Sequence, residues 1–251
     1  MKVSVVSASF PMTFDVAENL QRMKALVAQC HAHEVVVFPE GALSGYSDDI
    51  GFLNDIDQAQ VDRGLDVLQE LAVASRCHLF VGAIRQDGQG WRNQAFYLSP
   101  GGERWTYNKM NLATHERGYF VPGDELPVFT LSLPSSTLAV GVQLCRELRF
   151  PGQWRRLAQQ GAELFIYMTH AINDELHRPV WRSHLISRAA ENQRWVVATN
   201  VAHSAQLCPS MIVDPAGLVM KEAVSDAAGI LRAEVDMDAV SNWYLNQIVV
   251  N

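Results

Sequence analysis

The sequence predicts an α/β protein with mixed strand pairing, a strand core lying between two layers of helix. Three observations carry that prediction. Short runs rich in valine and isoleucine alternate with segments whose apolar residues recur at helical spacing, and a chain of such elements buries itself best as helix layers over sheet. Several of the runs are apolar throughout, as in strands covered on both faces. The 251 residues contain no internal repeat, low-complexity run or linker, so residues 1–251 are expected to form a single domain.

Residues 3–7 (Val3, Ser4, Val5, Val6, Ser7) read as the opening strand. Residues 15–32 then place Val16, Leu20, Met23, Leu26 and Val27 on one helical face. Val35 to Phe38 supply the next strand. Residues 62–75, with Leu65, Leu68, Leu71 and Ala72, give a second helix, and residues 79–84 a further strand. Glycines and polar residues in 86–92 and 99–102 are turn signals that bracket 93–98 as a hairpin strand. Residues 129–133 read as an edge strand, and 138–142 as a strand buried on both faces. Pro151 and Gly161 bound the helix behind it, the first suiting an opening turn and the second a stop. A strand at 163–168 and a helix at 179–192 follow. Strands at 195–200, 210–213 and 218–221 then precede a final strand at 229–235 and an irregular tail.

Composition narrows the function classes. Hydrophobic residues make up 48% of the chain, as in an ordinary globular protein, and the formal net charge of -7 disfavours nucleic acid or an anionic membrane as partner. No stretch approaches the roughly 18 consecutive apolar residues of a membrane span. The opening residues read as a strand and not as a signal peptide, and Cys30, Cys77, Cys145 and Cys208 show no CxxC pairing, so the expected location is the cytoplasm.

Two of the strands stop at residues that carry chemistry. The run 138–142 passes through Gln143 and Leu144 to Cys145, with Arg146, Glu147 and the Arg149-Phe150-Pro151 turn behind it. Open α/β sheets place their chemistry at such carboxyl ends. A lone cysteine there is most simply a small buried hydrophobe. To act as a nucleophile it needs a base and donors for an oxyanion. The strand 35–38 ends in Pro39-Glu40, and a carboxylate so placed suffers desolvation unless paired, which favours the proton-accepting behaviour of a working base. Lys109 lies in the run 105–112, and Glu116 follows. Alone, Glu40 and Lys109 would read as surface residues.

Together these pieces resemble the carbon–nitrogen hydrolases of the nitrilase superfamily. The resemblance runs through Phe38-Pro39-Glu40 with Gly45-Tyr46, Tyr107-Asn108-Lys109 and Cys145 with Arg149-Phe150-Pro151. It continues through Trp181, Arg188-Ala189-Ala190-Glu191-Asn192 and Val197-Ala198-Thr199-Asn200, so it covers nearly the whole chain. It implies a four-layer α-β-β-α sandwich. It also implies Cys145 as nucleophile, Glu40 as general base, Lys109 as the cation beside the oxyanion, Glu116 as the carboxylate orienting lysine and substrate, and the Arg146 backbone N–H as second oxyanion donor. The expected reaction is hydrolysis of a non-peptide C–N bond in a small carboxamide through a thioester, without metal or other cofactor. An N-carbamoyl hydrolase would use the same residues and release carbon dioxide with the ammonia. A catalytically silent interaction protein on this fold would be expected to lack one of the three central residues, and none is lacking. Members pair through the helices after the nucleophile strand and through the C-terminal tail, so a homodimer or higher homo-oligomer is expected.

Four further residues are candidates for substrate contact: Tyr46, His170, Trp181 and Arg149. Each has a plainer reading, as core aromatic, strand-end histidine or structural arginine. Cys30-His31-Ala32-His33-Glu34 lacks a second ligand pair and is not expected to bind metal. Arg146, Glu147 and Gly152 depart from the family's commonest residues, which bears on the substrate more than on the mechanism.

Overall fold

The computed structural model describes residues 1–172 and 177–247; residues 173–176 and the end of the expected tail and domain span, 248–251, lie outside the described residues. In chain order the elements are β1 (Lys2–Ser9), α1 (Val16–Val27), β2 (Val35–Val37), α2 (Gln58–Ser75), β3 (His78–Asp87), β4 (Gly90–Leu98), β5 (Arg104–Asn108), β6 (Val128–Leu133) and β7 (Ser136–Leu144). They continue with α3 (Pro151–Gln159), β8 (Leu164–Thr169), α4 (Arg178–Asn192), β9 (Trp195–Asn200), β10 (Ser210–Val213), β11 (Val219–Ala223) and β12 (Gly229–Asp236).

The strands form two six-stranded sheets, ordered β12-β1-β2-β3-β4-β5 and β11-β10-β9-β8-β7-β6. Each has a parallel centre, β1-β2-β3 in one and β7-β8-β9 in the other, with antiparallel pairs outside it. The expected mixed pairing and α-β-β-α sandwich are therefore what the chain builds. The alternation along β2 shows how. Val35 and Val37 face the second sheet, in a cluster with Leu144, Tyr167 and Val197, whereas Val36 and Phe38 face Met23 and Leu26 of α1 and Leu65 and Leu68 of α2. On the far side α3 and α4 pack together against β7 and β9.

Hydrogen bonds join β1 to β9 across the largely apolar space between the sheets. Ser7 Oγ donates to the Ala198 carbonyl at 3.0 Å, and Thr199 Oγ1 donates to Ser7 Oγ at 2.7 Å. Among the described residues no helix is long and apolar enough to cross a membrane.

Two boundaries and one added strand show where the structure departs from the sequence expectation. Helix α1 is capped by Asp15, which accepts from the N–H groups of Ala17 and Glu18, but it ends at Val27, five residues early. Beyond it the chain turns at His33, whose φ is 69° and whose N–H donates to the Arg76 carbonyl. Glu34 then pairs with Arg232 at 2.8 Å and accepts from Ser4, so it joins β1 and β12 to the turn. The hairpin turn is tighter than its glycines suggested, because Asp87 Oδ1 accepts from the N–H groups of Gln89 and Gly90 and lets both strands run to its edge. Finally, β5 was not expected as a strand. Its register against β4, from Gln94↔Asn108 to Leu98↔Arg104, supplies the pairing that its own composition does not announce.

Candidate active site

Four chain segments converge between the two sheets. Glu40 follows β2 in a turn that needs Gly41 at φ +65°. That turn lies directly on β3, where a Cβ on Gly82 would collide with the Pro39 carbonyl and the Gly41 nitrogen. Lys109 follows β5, its N–H donating to the Asn93 carbonyl at 2.9 Å and its carbonyl accepting from Gly123. Glu116 lies in the next loop, with Oε2 accepting from the Ala113 N–H at 2.6 Å. Cys145 follows β7 directly and opens a 3₁₀ turn, Cys145–Arg149. Its φ of +39° is rare and strained for a residue with a Cβ, and its carbonyl is held by the Tyr167 hydroxyl at 2.8 Å. As the second residue of this turn, Arg146 carries an N–H that the turn leaves unpaired.

The side chains meet at the ammonium of Lys109. Nζ donates to Glu40 Oε1 at 2.8 Å and to Glu116 Oε1 at 2.9 Å, and all three side chains have 0% exposure. Asn93 Nδ2 donates to the same two oxygens, at 2.8 and 2.7 Å. Glu40 Oε2 accepts from the His170 N–H of the opposite sheet at 2.9 Å. Tyr46 donates to Glu116 Oε1 at 2.9 Å, leaving its oxygen to accept from His115 Nε2 at 2.8 Å.

Burial alone would lower the pKa of Lys109, but the charges of Glu40 and Glu116 outweigh it and hold the ammonium above its ordinary range. Burial would likewise raise the pKa of Glu116, but the charge and hydrogen bond of Lys109 and the Asn93 amide bring it below the usual value. For Cys145, burial pushes the thiol well above its ordinary pKa and the Glu40 charge adds to this. Lys109 and the Thr169 hydroxyl pull the other way without reversing it. The resting state these directions describe is a thiol beside an ion cluster, and not a standing thiolate.

Sequence reasoning missed two members of this constellation. Asn93 was read only as the start of a hairpin strand, although a polar amide leading into an apolar run is a detectable signal. Glu147 was noted only as a departure from the family's usual residue. In the structure its buried carboxylate accepts from the Leu144 N–H through Oε2 at 2.7 Å. Oε1 accepts from Tyr107 OH at 2.7 Å, Met110 N–H at 2.8 Å and Asn111 N–H at 3.1 Å. One side chain thus braces the thiol-bearing strand end against the loop that carries Lys109. Burial raises its pKa, opposed by these donors, with Leu144 the strongest of them.

A cavity of about 690 Å³ opens beside this cluster, a size suited to small ligands. Tyr46 and His170 stand in its wall with their rings 5.4 Å apart. Burial lowers the His170 pKa below the ordinary imidazole value, the Glu40 charge opposing it. Arg149 and Trp181, the other two residues expected at the substrate, are brought against each other. The guanidinium lies 5.3 Å over the indole, and neither lines this cavity. Among the described residues no group of three or more His, Cys, Asp or Glu side chains could hold a metal ion.

A family model described as carbon-nitrogen hydrolase matches residues 2–244. An (R)-stereoselective amidase of a Pseudomonas species is 34% identical over 235 residues, covering 89% of this chain and 81% of its own. A 2-oxoglutaramate amidase of Bacillus subtilis is 28% identical, covering 94% and 92%. An amidase structure from a Nesterenkonia species superposes with a TM-score of 0.81 at 22% identity, covering 99% of this chain and 93% of that one. A branch 10 nitrilase-superfamily structure from Saccharomyces cerevisiae gives 0.80 at 22%, covering 100% and 96%. The chain belongs to the carbon-nitrogen hydrolase family. It is a hydrolase acting on C–N bonds, with relatives that include amidases.

Proposed function

We propose that this protein is a cysteine-dependent amidase that hydrolyses a small carboxamide through a thioester on Cys145. The observation that carries this reading is the Lys109 ammonium bridging two fully buried carboxylates next to a thiol at a strained strand end. In the first half-reaction Glu40 takes the Sγ proton as sulfur attacks the amide carbon. The oxyanion forms against Lys109 and the Arg146 N–H. Two of the three ammonium protons are already committed to carboxylates, which leaves one for the substrate oxygen. Glu40 then protonates the departing nitrogen and the C–N bond breaks. In the second half-reaction Glu40 deprotonates a water, which attacks the thioester carbon. The acid leaves and the thiol regains its proton. Asn93 and Glu116 hold Glu40 and Lys109 in place, Glu116 also fixing the Tyr46 hydroxyl at the cavity wall.

Intact-protein mass spectrometry after brief exposure to a panel of primary amides, anilides and N-carbamoyl amino acids tests the mechanism. The expected result is an acyl adduct on the wild-type chain and none on Cys145→Ala, which should fold normally and turn over nothing. Hydrolysis of a confirmed substrate by that variant at the wild-type rate would refute the role of Cys145.

A second expectation follows from the direction of the thiol shift. Burial and the Glu40 charge keep Cys145 protonated, so the thiolate fraction climbs with pH through the range where an ordinary cysteine levels off. Alkylation of Cys145 by iodoacetamide, followed by peptide mapping, should still be accelerating at about pH 10, where an ordinary thiol of pKa about 8.5 has levelled off. A plateau reached below about pH 7.5, as for an activated thiolate, would contradict this resting state.

A further inference from the structure

The walls of the cavity specify the charge of the substrate. On one side Met12, Phe14, Ile172 and Val201 offer apolar surface. On the other stand Tyr46, His170 and Asp48, and no lysine or arginine is among the described residues that line it. Asp48 keeps 60% of its side chain exposed, and His115 Nε2 lies 3.4 Å from its Oδ1. The cluster that Tyr46 and His170 bond behind that wall is negative as well. Glu40 and Glu116 share the single ammonium of Lys109, which leaves one surplus negative charge in a fully buried cluster. Of the two histidines in the wall, His170 and His203, burial disfavours the charged form of His170. Arg146 and Arg149 are the cations nearest Cys145 in sequence, and neither lines the cavity.

Resting on the amidase reading of this site, we propose that the cavity selects carboxamides whose remaining substituent is apolar or bears an ammonium, and rejects those bearing a carboxylate. A carboxylate brought into the cavity would meet Asp48 and the surplus charge with no fixed cation, a like-charge juxtaposition in a partly desolvated space. An alkyl group would gain contact with Met12 and Val201, and an ammonium would gain Asp48. This separates the protein from both activities whose substrates carry an acid group: hydrolysis of the monoamide of a dicarboxylic acid, and hydrolysis of an N-carbamoyl amino acid.

The test uses three amides of similar length: pentanamide, its ammonium isostere 4-aminobutanamide, and succinamate, which carries a carboxylate. Ammonia release by the wild-type enzyme gives kcat/KM for each. The expected order places succinamate roughly tenfold or more below pentanamide, with 4-aminobutanamide at least equal to pentanamide. Asp48→Lys should narrow or invert the ratio of succinamate to 4-aminobutanamide, whereas Arg146→Ala should leave the order unchanged. Ligand-observed NMR titration of the Cys145→Ala variant supplies the same ranking without turnover. The preserved ranking without wild-type hydrolysis would uphold the charge selection while the amidase reading failed. Succinamate turned over or bound as well as pentanamide, or a ranking set by Arg146, would overturn the proposal, as would the absence of binding by all three.

Discussion

Replacing Lys109 by methionine should both silence the enzyme and weaken its fold. The substitution roughly keeps the volume of a side chain that has no exposure, but it leaves Glu40 and Glu116 facing each other without their shared cation. Removing one partner of a buried ion cluster costs about 3–5 kcal/mol, because the remaining charges stay desolvated. Part of that cost is avoided if a carboxylate takes up a proton, and Asn93 still donates to both oxygens. The expected melting shift is therefore largest at neutral pH and shrinks toward pH 4. The sign follows from Glu116. Its pKa is depressed in the fold, so its contribution is present above the ordinary carboxylate range and is lost as pH falls through the depressed value. Loss of an oxyanion donor alone lowers kcat by about 10²–10³-fold. Thermal melts across pH 4 to 8, paired with single-substrate kinetics, measure both. A variant equally stable at all pH values, or one retaining wild-type kcat, would contradict the cluster described here.

Glu147 gives the second large effect, and its variants separate alignment from bulk stability. In Glu147→Gln the amide oxygen keeps the three donors from Tyr107, Met110 and Asn111, while the NH₂ group faces the Leu144 N–H and cannot accept from it. The brace between the two limbs is cut at one end only. The stability cost should be about 1–3 kcal/mol, that of one buried unsatisfied donor. kcat should drop by roughly 10²-fold, the penalty of a misplacement near 1 Å, with KM nearly unchanged. Glu147→Ala removes every bond and should fall well below Glu147→Gln in melting temperature. Glu147→Asp keeps both acceptors on a shorter arm and should recover part of kcat. A purely structural side chain would instead lower the amount of active enzyme while leaving kcat per folded molecule intact. Active-site titration against folded protein decides between the two.

How far the sequence spoke depended on where each signal was stored. The helices and most strands were legible because their burial pattern is local: the alternation of Val35, Val36 and Val37, or the face of Leu65 and Leu68, reports a two-sided environment directly. Glu40, Lys109 and Cys145 were legible by position, each standing at or just beyond a strand end within a recognisable surrounding. The strand β5 was not, because Arg104 to Asn108 are held by pairing with β4 and not by their own composition. Asn93 and Glu147 escaped notice for a related reason. Their meaning lies in partners 53 and 40 positions away, which only the pairing of strands brings within reach. The stacking of Arg149 on Trp181 has the same origin, since it depends on how α4 lies over the turn after Cys145. Chemistry written at strand ends could be read from the chain, but the braces between limbs needed the sheets.

The Ser7 and Thr199 hydroxyls acquire a different meaning once the site is seen to straddle the two sheets. Glu40 stands on one and the His170 N–H that holds it on the other. Hydrophobic contact between two sheets is non-directional and resists sliding weakly. Catalytic groups tolerate errors of only about 0.5 Å. Two directional bonds joining β1 to β9 work as dowels, setting the lateral alignment of halves that oil alone would let drift. Their contribution is better measured in precision than in stability, and a polar pair deep in the core belongs, in this sense, to the candidate active site it never touches.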